Sequence, residues 1–560
     1  MKLFSGDKKF KILLLSLIVF FISIRLLGVH ISYHQDELRI TSEIDEPHSW
    51  FFTAGYGHAP LMGVIYSVSG ILFGSENVRM FPLIFSIANF ILLFVLVKYL
   101  FDQTRAIWVV AFFTISYFSL LSALTVDVDG AVLPFFLLLS LLVFYKWREA
   151  GGFLASKWLI SLLLLLAAGF LIKFSFILVI GVLGLELFYQ AWILGNRRLM
   201  TKYGLGLILF LGLLGFALMN AHKIIPNYPL SDAIIHAKGY VNFSGRNYFQ
   251  TVVQTAKALF FMSPLLIAPL FFINKEDGRK LRIFIVFILL GLIFYLVLFD
   301  FSLGALDKYF QFVVVPLSVI GGVSFSRIFQ NINIRKLLAP VVIGTSVAVF
   351  FFLLQFVPHF VPPLWPKSDW VSRVINFQWN FLMPFTGGSG PVGFYISWLY
   401  ITLNWMSVVL LITLALLKIN RRMFLLTIVI VLSVGYNLVF AEEYLFGKIN
   451  GNPTKLIDSA VDYIKNDSRI EKIITYNNIG GYELMKIGKY ERRLYVAPKY
   501  EPFYAGIFSE FRGHYLIVDI PRIDSSSRYS KYFSSCEILY EEFDQKISSK
   551  VYNCRNAPKF

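Results

Sequence analysis

Carboxylates beside long apolar runs are the first candidates for chemistry in this 560-residue sequence, because ionisable groups are costly there. Asp36 and Glu37 come six residues after the first apolar run. Asp127 and Asp129 lie between two later runs, in a stretch with almost no other polar residue. A carboxylate can take the proton of an attacking hydroxyl group, so these four residues are candidates for general base catalysis. The alternative is that they are solvated carboxylates at loop ends.

Cations next to apolar runs form the second set of candidates. His58 precedes the apolar stretch 61–73, Lys173 separates two apolar runs, and Lys308 follows Asp307. Positive charge stabilises a developing phosphate anion, so these side chains could bind a phosphate. The alternatives are a structural histidine and lysines whose ammonium groups reach the membrane surface.

Composition identifies the setting of these residues. Hydrophobic residues make up 57% of the chain and charged residues 15%, whereas soluble proteins carry about 25% charged residues. The net charge of +17 is therefore attributed to basic cytoplasmic loops rather than to nucleic-acid binding. The sequence contains no P-loop, G-x-G-x-x-G, H-E-x-x-H or nucleophile-elbow motif, and its two cysteines are too few for a Cys-based metal site. These features predict a polytopic membrane protein without cytosolic nucleotide chemistry.

Apolar runs of about 15–25 residues predict thirteen transmembrane helices. The predicted spans are 11–30, 82–99, 106–124, 131–146, 158–172, 174–191, 203–220, 256–273, 282–300, 309–326, 337–356, 394–416 and 423–440. Of the 33 Lys and Arg residues before position 441, 22 fall in seven short segments on one side. The positive-inside rule therefore predicts a cytoplasmic N-terminus and an extracytoplasmic C-terminus.

The tail after residue 440 has a different, less apolar pattern. Helical periodicity covers 455–466, strand-like runs cover 472–476 and 515–520, and 536–554 resembles a hairpin. We therefore predict two domains. The first is an α-helical membrane domain over 1–440, which includes an outer loop at 31–81 with a helix at the membrane interface. The second is a small extracytoplasmic α/β domain over 441–560.

The two cysteines lie symmetrically in the predicted hairpin. With a three-residue loop centred on Gln545, Cys536 and Cys554 are each nine residues from the centre and face each other. An oxidising outer compartment would permit a disulfide between them. Two unpaired thiols are the alternative.

The order of the candidate residues resembles the membrane-embedded GT-C glycosyltransferases, in the branch of protein O-mannosyltransferases and lipid A aminoarabinose transferases. Asp36 and Glu37 match that branch's acidic pair after the first span, and Asp129 matches its second-loop aspartate. Residues 55–61, GYGHAPL, are similar to the bacterial G-Y-x-x-H-P-P-L segment, with Ala59 in place of the first proline.

Two further segments support the resemblance. Residues 76–82 follow the branch's acidic-x-x-Arg…Pro entry to the second span, with one additional residue before the proline. Residues 308–316 are similar to its R-Y-L-L-P segment, which adds Tyr309 to the candidates.

The resemblance implies a GT-C fold and a transfer of sugar from a polyprenyl-phosphate donor to an extracytoplasmic lipid, glycan or protein. It implies an inverting single displacement in a cell membrane, with no nucleic-acid partner. Asp36 would be the base and Glu37 and Asp129 further catalytic residues. The substrate-binding candidates are His58, Lys308, Tyr309, Lys173 and Asp127. Asp129 could position the acceptor or bind a divalent metal, and the spacing does not decide between these roles.

Three other classes of protein are alternatives. A transporter or lipid-linked sugar flippase predicts inverted repeats and polar residues near the midplane, which the sequence lacks. A polysaccharide polymerase or ligase usually has an Arg-rich outer loop, yet the loops 31–81 and 357–393 contain only Arg39, Arg79 and Arg373. A non-catalytic scaffold would leave the acidic motifs unexplained.

Overall fold

The computed structural model describes most of the chain. The described residues are 8–45, 58–225, 228–239, 246–298, 310–330, 334–357, 359–363, 367–385, 390, 392–496, 502–504, 506 and 511–558. They divide into two compact units. The first unit comprises residues 1–26 and 43–332, and the second comprises residues 27–42 and 333–560.

The first unit is helical throughout its described part. Its helices are Lys8–Leu26, Pro60–Phe73, Met80–Leu100, Gln103–Ile115, Tyr117–Leu124, Val132–Glu149, Gly152–Ile172, Ile177–Ile193, Arg197–Met219, Ala221–Ile224, Leu230–Gly239, Tyr248–Met262, Pro264–Ile267, Lys275–Ile293 and Val314–Ile328.

The core of the first unit lies around the helix Val314–Ile328. Every residue from 314 to 326 is buried, as expected for a helix enclosed by other helices. It packs closely against Gln103–Ile115. A Cβ atom on Gly322 would lie 2.4 Å from the Cα of Val109, so only glycine permits this backbone separation.

Two helix pairs in this unit are sharply bent. Gln103–Ile115 and Tyr117–Leu124 meet at 68°, and Tyr248–Met262 meets the following helical segment at 88°. The second bend coincides with Pro264. Proline has no backbone N–H and its ring clashes with the preceding turn, so the first helix ends before Pro264 and the next helix begins with it. Each bent pair corresponds to one span predicted from the sequence.

The number of membrane spans differs from the prediction. Among the described residues, eight helices are long and apolar enough to cross a membrane, or ten if each bent pair is one span. The remaining predicted spans coincide with Lys8–Leu26, Val132–Glu149 and Val314–Ile328. The first two carry charged residues in their terminal turns and the third has only 15 residues, so a count of thirteen is not confirmed.

The second unit combines helices with two sheets. Its helices are Asp36–Asp45, Leu338–Leu353, Lys367–Ile375, Trp398–Leu417, Arg422–Leu445, Pro453–Asn466, Gly481–Lys486 and Arg528–Ser534. The last three residues of the first of these helices, 43–45, are assigned to the first unit. Its strands are β1 Leu382–Phe385, β2 Phe394–Ser397, β3 Ile473–Tyr476, β4 Tyr490–Leu494, β5 His514–Val518, β6 Glu537–Asp544 and β7 Ile547–Asn553.

The C-terminal strands form one mixed sheet in the order β4-β3-β5-β7-β6. β3 pairs in parallel with β4 and β5, whereas β7 runs antiparallel to β5 and β6. The carboxyl ends of β3, β4 and β5 therefore lie at one edge, where α/β sheets commonly bind ligands. The helical membrane fold and the C-terminal α/β region are confirmed, and β4 is a strand that the sequence analysis missed.

The hairpin β6–β7 contains the predicted disulfide between Cys536 and Cys554. Its loop was predicted wrongly. Asp544 pairs with Ile547, so the loop has two residues, and Gln545 adopts a left-handed conformation. An irregularity between Ile538 and Tyr540 shifts the register by one residue, which brings Glu537 opposite Asn553 and the cysteines together.

Candidate active site

The candidate site of the first unit is a buried turn over residues 125–131, here called the carboxylate turn. The Thr125 hydroxyl donates to the carbonyl of Leu121 at 2.9 Å, which anchors the turn to the preceding helix. The backbone N–H of Asp129 donates to Oδ1 of Asp127 at 3.3 Å. The Asn89 side chain donates to the carbonyl of Ala131 at 2.7 Å. These hydrogen bonds fix the direction of both aspartates.

Lys173 lies between the two aspartates of the carboxylate turn. Its Nζ is 3.5 Å from Oδ1 of Asp127 and donates a short hydrogen bond to Oδ2 of Asp129. The Asp129 side chain is fully buried and Lys173 is 14% exposed. Lys173 occupies the break between Gly152–Ile172 and the 3₁₀ turn Phe174–Phe176, where its backbone is extended. The three side chains thus form a buried ion cluster.

A glycine brings the carboxylate turn close to its neighbours. A Cβ atom on Gly130 would lie 2.6 Å from the Ser122 carbonyl oxygen and 2.6 Å from Oε1 of Gln311. A larger residue would push the turn away from both. Gly130 is therefore required for this packing, and Gln311 forms one wall of the site.

An apolar cleft begins beside the ion cluster. Leu133 follows the carboxylate turn and Ser175 follows Lys173, and both line the cleft. The other lining residues used here are Leu137, Phe176 and Tyr295. The cleft has a volume of only about 20 Å³, so it is a small apolar gap beside the ion cluster.

His58 lies at the same end of the first unit as Lys173. Its carbonyl accepts a hydrogen bond of 2.7 Å from the hydroxyl of Tyr228. Burial raises the pKa of Tyr228 to about 12, so this hydroxyl stays protonated and can donate. Val64 and Phe174 pack against the same small apolar cluster as Tyr228. Since Val64 is one helical turn from Pro60 and Phe174 follows Lys173, the cluster brings these two segments together.

A separate candidate site belongs to the second unit, where Asp36 and Glu37 begin the helix Asp36–Asp45. The two carboxylates differ in environment, because Asp36 is exposed and Glu37 is fully buried. Oε2 of Glu37 lies 3.4 Å from the backbone nitrogen of His34, which donates to it. Burial lowers the pKa of His34 to about 4, so His34 is neutral at pH 7. Asp36 is thus the more accessible of the two carboxylates.

The segment that carries Asp36 packs on the C-terminal α/β region. Nε2 of Gln35 donates to Oδ1 of Asn477 at 3.3 Å, directly after β3. The rings of Tyr33 and Tyr482 meet edge to face with centroids 4.9 Å apart. These contacts hold the start of the helix at the carboxyl edge of the parallel strands.

Two of the predicted substrate-binding residues, Lys308 and Tyr309, lie outside the described residues. Within the described ranges, no group of three or more His, Cys, Asp or Glu side chains is placed to hold a metal ion. Asp127 and Asp129 instead share the ammonium group of Lys173.

Comparisons with known proteins agree with this architecture. Residues 57–220 match the family model described as dolichyl-phosphate-mannose-protein mannosyltransferase. The crystal structure of ArnT from Cupriavidus metallidurans bound to undecaprenyl phosphate has a TM-score of 0.54 at 14% identity, covering 98% of this chain and 99% of that one. The apo ArnT structure gives 0.52 at 13% identity and covers 97% of each chain. No curated protein sequence matches significantly.

The chain has the GT-C fold. The resemblance to the branch of protein O-mannosyltransferases and aminoarabinose transferases is confirmed. The family model covers the segment from His58 through the carboxylate turn to Lys173, while the fold match extends over nearly the whole chain.

Three residues of this GT-C fold were missed by the sequence analysis. Asn89, Gln311 and Tyr295 are buried polar residues near the carboxylate turn or the apolar cleft. Asn89 is a single polar residue in an otherwise apolar stretch of the helix Met80–Leu100, which is a recognisable signal. Gln311 and Tyr295 have no such signal, because their roles depend on tertiary packing.

We predict that Lys173→Met destabilises the protein by about 3–5 kcal/mol, because it removes the cation from two buried carboxylates. Thermal unfolding in detergent measures the effect. Adding Asp129→Asn to Lys173→Met should recover part of the loss, since one carboxylate is then neutral. A Lys173→Met protein as stable as wild type would show that the ion cluster does not form.

Proposed function

We propose that this protein is a membrane glycosyltransferase that moves a sugar from a polyprenyl-phosphate donor to an extracytoplasmic acceptor. The observation that carries the proposal is the buried Asp127–Lys173–Asp129 cluster within the segment that matches the mannosyltransferase family model, on a fold shared with ArnT bound to undecaprenyl phosphate. A donor of this kind has a hydrocarbon chain and an anionic phosphate. The phosphate calls for positively charged side chains close to the cluster.

The leaving phosphate needs positive charge near the bond that breaks. Lys173 is already neutralised by two carboxylates, so its main role is to hold Asp127 and Asp129 in place. His58, at the same end of the first unit, and Lys308 are therefore the proposed phosphate ligands, with Lys173 behind them. Tyr309 is proposed to contact the donor, and Asp129 to orient the substrate.

Asp36 is proposed as the general base of a single displacement. It accepts the proton of the acceptor hydroxyl while the hydroxyl oxygen attacks the anomeric carbon. The bond between that carbon and the phosphate oxygen breaks, and the phosphate keeps the electron pair. The configuration at the anomeric carbon is inverted. Glu37 is buried beside Asp36, so its proposed role is to hold the start of the helix through His34.

The α/β region over residues 441–560 is proposed to form an extracytoplasmic domain that positions Asp36. This role follows from the contacts of Tyr33 and Gln35 with Tyr482 and Asn477. A small displacement of a reacting group can cost about 10²-fold in rate, so a firm support has a direct catalytic value.

We propose that residues 1–440 form the membrane domain, that the N-terminus is cytoplasmic, and that the protein lies in a cell membrane. The distribution of 22 of 33 basic residues in seven segments supports this orientation.

Asp36→Asn is expected to lower sugar transfer by about 10²–10⁴-fold, because the acceptor hydroxyl loses its base. Expression and detergent stability should stay close to wild type, since Asp36 is exposed. Transfer from a labelled polyprenyl-phosphate sugar by the purified protein measures the effect. Glu37→Gln and Asp127→Asn should be milder, Asp129→Asn intermediate to severe, and His58→Ala should also raise the apparent donor KM. If Asp36→Asn keeps more than about a tenth of wild-type transfer, Asp36 is not the base.

Tyr482→Ala is expected to lower kcat by about tenfold or more while the donor KM stays unchanged, because Tyr33 loses its aromatic partner and Asp36 is held less firmly. Tyr482→Phe is the matched control and should retain wild-type kcat, since it keeps the ring. Steady-state kinetics of both variants check the role. Equal kcat values for the two variants would contradict it.

Reporter fusions test the orientation. Fusions after Lys202 and Lys280 should be cytoplasmic, and a fusion after Pro453 should be extracytoplasmic. A cytoplasmic reporter after Pro453 would refute the proposed side of the C-terminal domain.

A further inference from the structure

The first unit contains a second cavity, far from the carboxylate turn. Here called the basic cavity, it has a volume of about 430 Å³, within the usual range for small-ligand sites. The helix Val132–Glu149 begins just after Asp129 and has 18 residues, so it spans about 27 Å. Arg148 lines the cavity in its last turn. The basic cavity therefore lies at the opposite end of this helix from the ion cluster.

A buried ion pair forms one wall of the basic cavity. Nε of Arg282 donates to Oε2 of Glu186 at 2.8 Å, and its Nη2 donates to Oε1 at 2.5 Å. Gln190 also donates to Oε1 of Glu186 at 2.5 Å. The Arg282 guanidinium lies 4.0 Å from the centre of the Tyr189 ring. Glu186 is only 6% exposed, and its two carboxylate oxygens form a bidentate contact with Arg282.

The rim of the basic cavity carries uncompensated positive charge. Arg148, Arg279 and Lys280 are exposed and line the cavity, against a single exposed carboxylate, Glu149. Together with the Glu186–Arg282 pair, the lining has a net charge of +2. Arginine side chains that converge on one cavity suit the oxygen atoms of a phosphate, because the guanidinium group donates two parallel hydrogen bonds.

We propose that the basic cavity binds a phosphate group, supplied by the headgroup of an anionic phospholipid. Apart from the residues of Val132–Glu149, its lining comes from the ends of three apolar helices that are long enough to span a membrane, Met80–Leu100, Ile177–Ile193 and Lys275–Ile293, and lipid headgroups are concentrated at such ends. Basic pockets between such helices are known to bind anionic headgroups. A soluble phosphate compound carries the same phosphate group and is the alternative source of the ligand. This site is separate from the transfer reaction and does not depend on it.

The test is native mass spectrometry of the full-length protein in detergent, titrated with phosphatidylglycerol and, separately, with phosphatidylcholine. Wild type should bind phosphatidylglycerol more tightly. Arg279→Gln/Lys280→Gln should weaken that binding about 30-fold, since each cation near an anionic lipid contributes roughly a factor of five. The matched control is Arg197→Gln/Arg198→Gln, which removes two exposed cations at another helix start outside the cavity and should leave binding unchanged.

Glu186→Gln gives a second readout of opposite sign. It leaves the Arg282 charge uncompensated, so the lining gains one positive charge and phosphatidylglycerol should bind several-fold more tightly. Thermal unfolding with inorganic phosphate separates the two sources. In one outcome, inorganic phosphate stabilises wild type but not Arg279→Gln/Lys280→Gln, and wild type shows no preference for phosphatidylglycerol. That result would support the phosphate site with a soluble ligand. Equal binding of phosphatidylglycerol and of inorganic phosphate by wild type and Arg279→Gln/Lys280→Gln would overturn the proposal.

Discussion

Two carboxylates and one ammonium group removed from water have to remain together, since any of them alone would be costly to bury. This constraint determines the local structure around Asp127, Asp129 and Lys173. The carboxylate turn must join two helices so that Asp127 and Asp129 face Lys173. Lys173 must in turn lie at the break between two apolar helices, next to that turn. Gly130 permits the close approach that this requires. The apolar cleft exists beside the cluster because the two helix ends are held at that point.

The Asp36 segment shows how an exposed carboxylate can still be fixed. Its neighbour Glu37 is buried, and Tyr33 and Gln35, just before the helix start, contact the C-terminal α/β region. Asp36 is therefore accessible while its backbone is restrained. The proposed roles of the two carboxylates differ for this reason, with Asp36 as the base and Glu37 as a support. In that proposal the C-terminal region contributes by holding the Asp36 segment.

Much of this architecture is predictable from the sequence, because long apolar runs and strand-length runs have few alternative structures. The hairpin and the pairing of its cysteines were predicted from the strand pattern, but the predicted loop was one residue too long, since a register shift near Ile538 has no sequence signal. Asp127, Asp129 and Lys173 were each identified as candidates. Their contact was not, because it joins residues more than forty positions apart through helix packing. Likewise, adjacent carboxylates give no pattern that distinguishes exposed Asp36 from buried Glu37.

The central claim is that the sugar comes from a lipid phosphate and that the bond to that phosphate is broken. The most direct measurement incubates the purified protein in detergent with a doubly labelled polyprenyl-phosphate sugar and an envelope extract as the acceptor source. Our account predicts release of polyprenyl phosphate in equal amount to the sugar transferred, with inversion at the anomeric carbon and no transfer from a nucleotide sugar. Direct use of a nucleotide sugar, or movement of the intact donor across a vesicle membrane without bond cleavage, would contradict it.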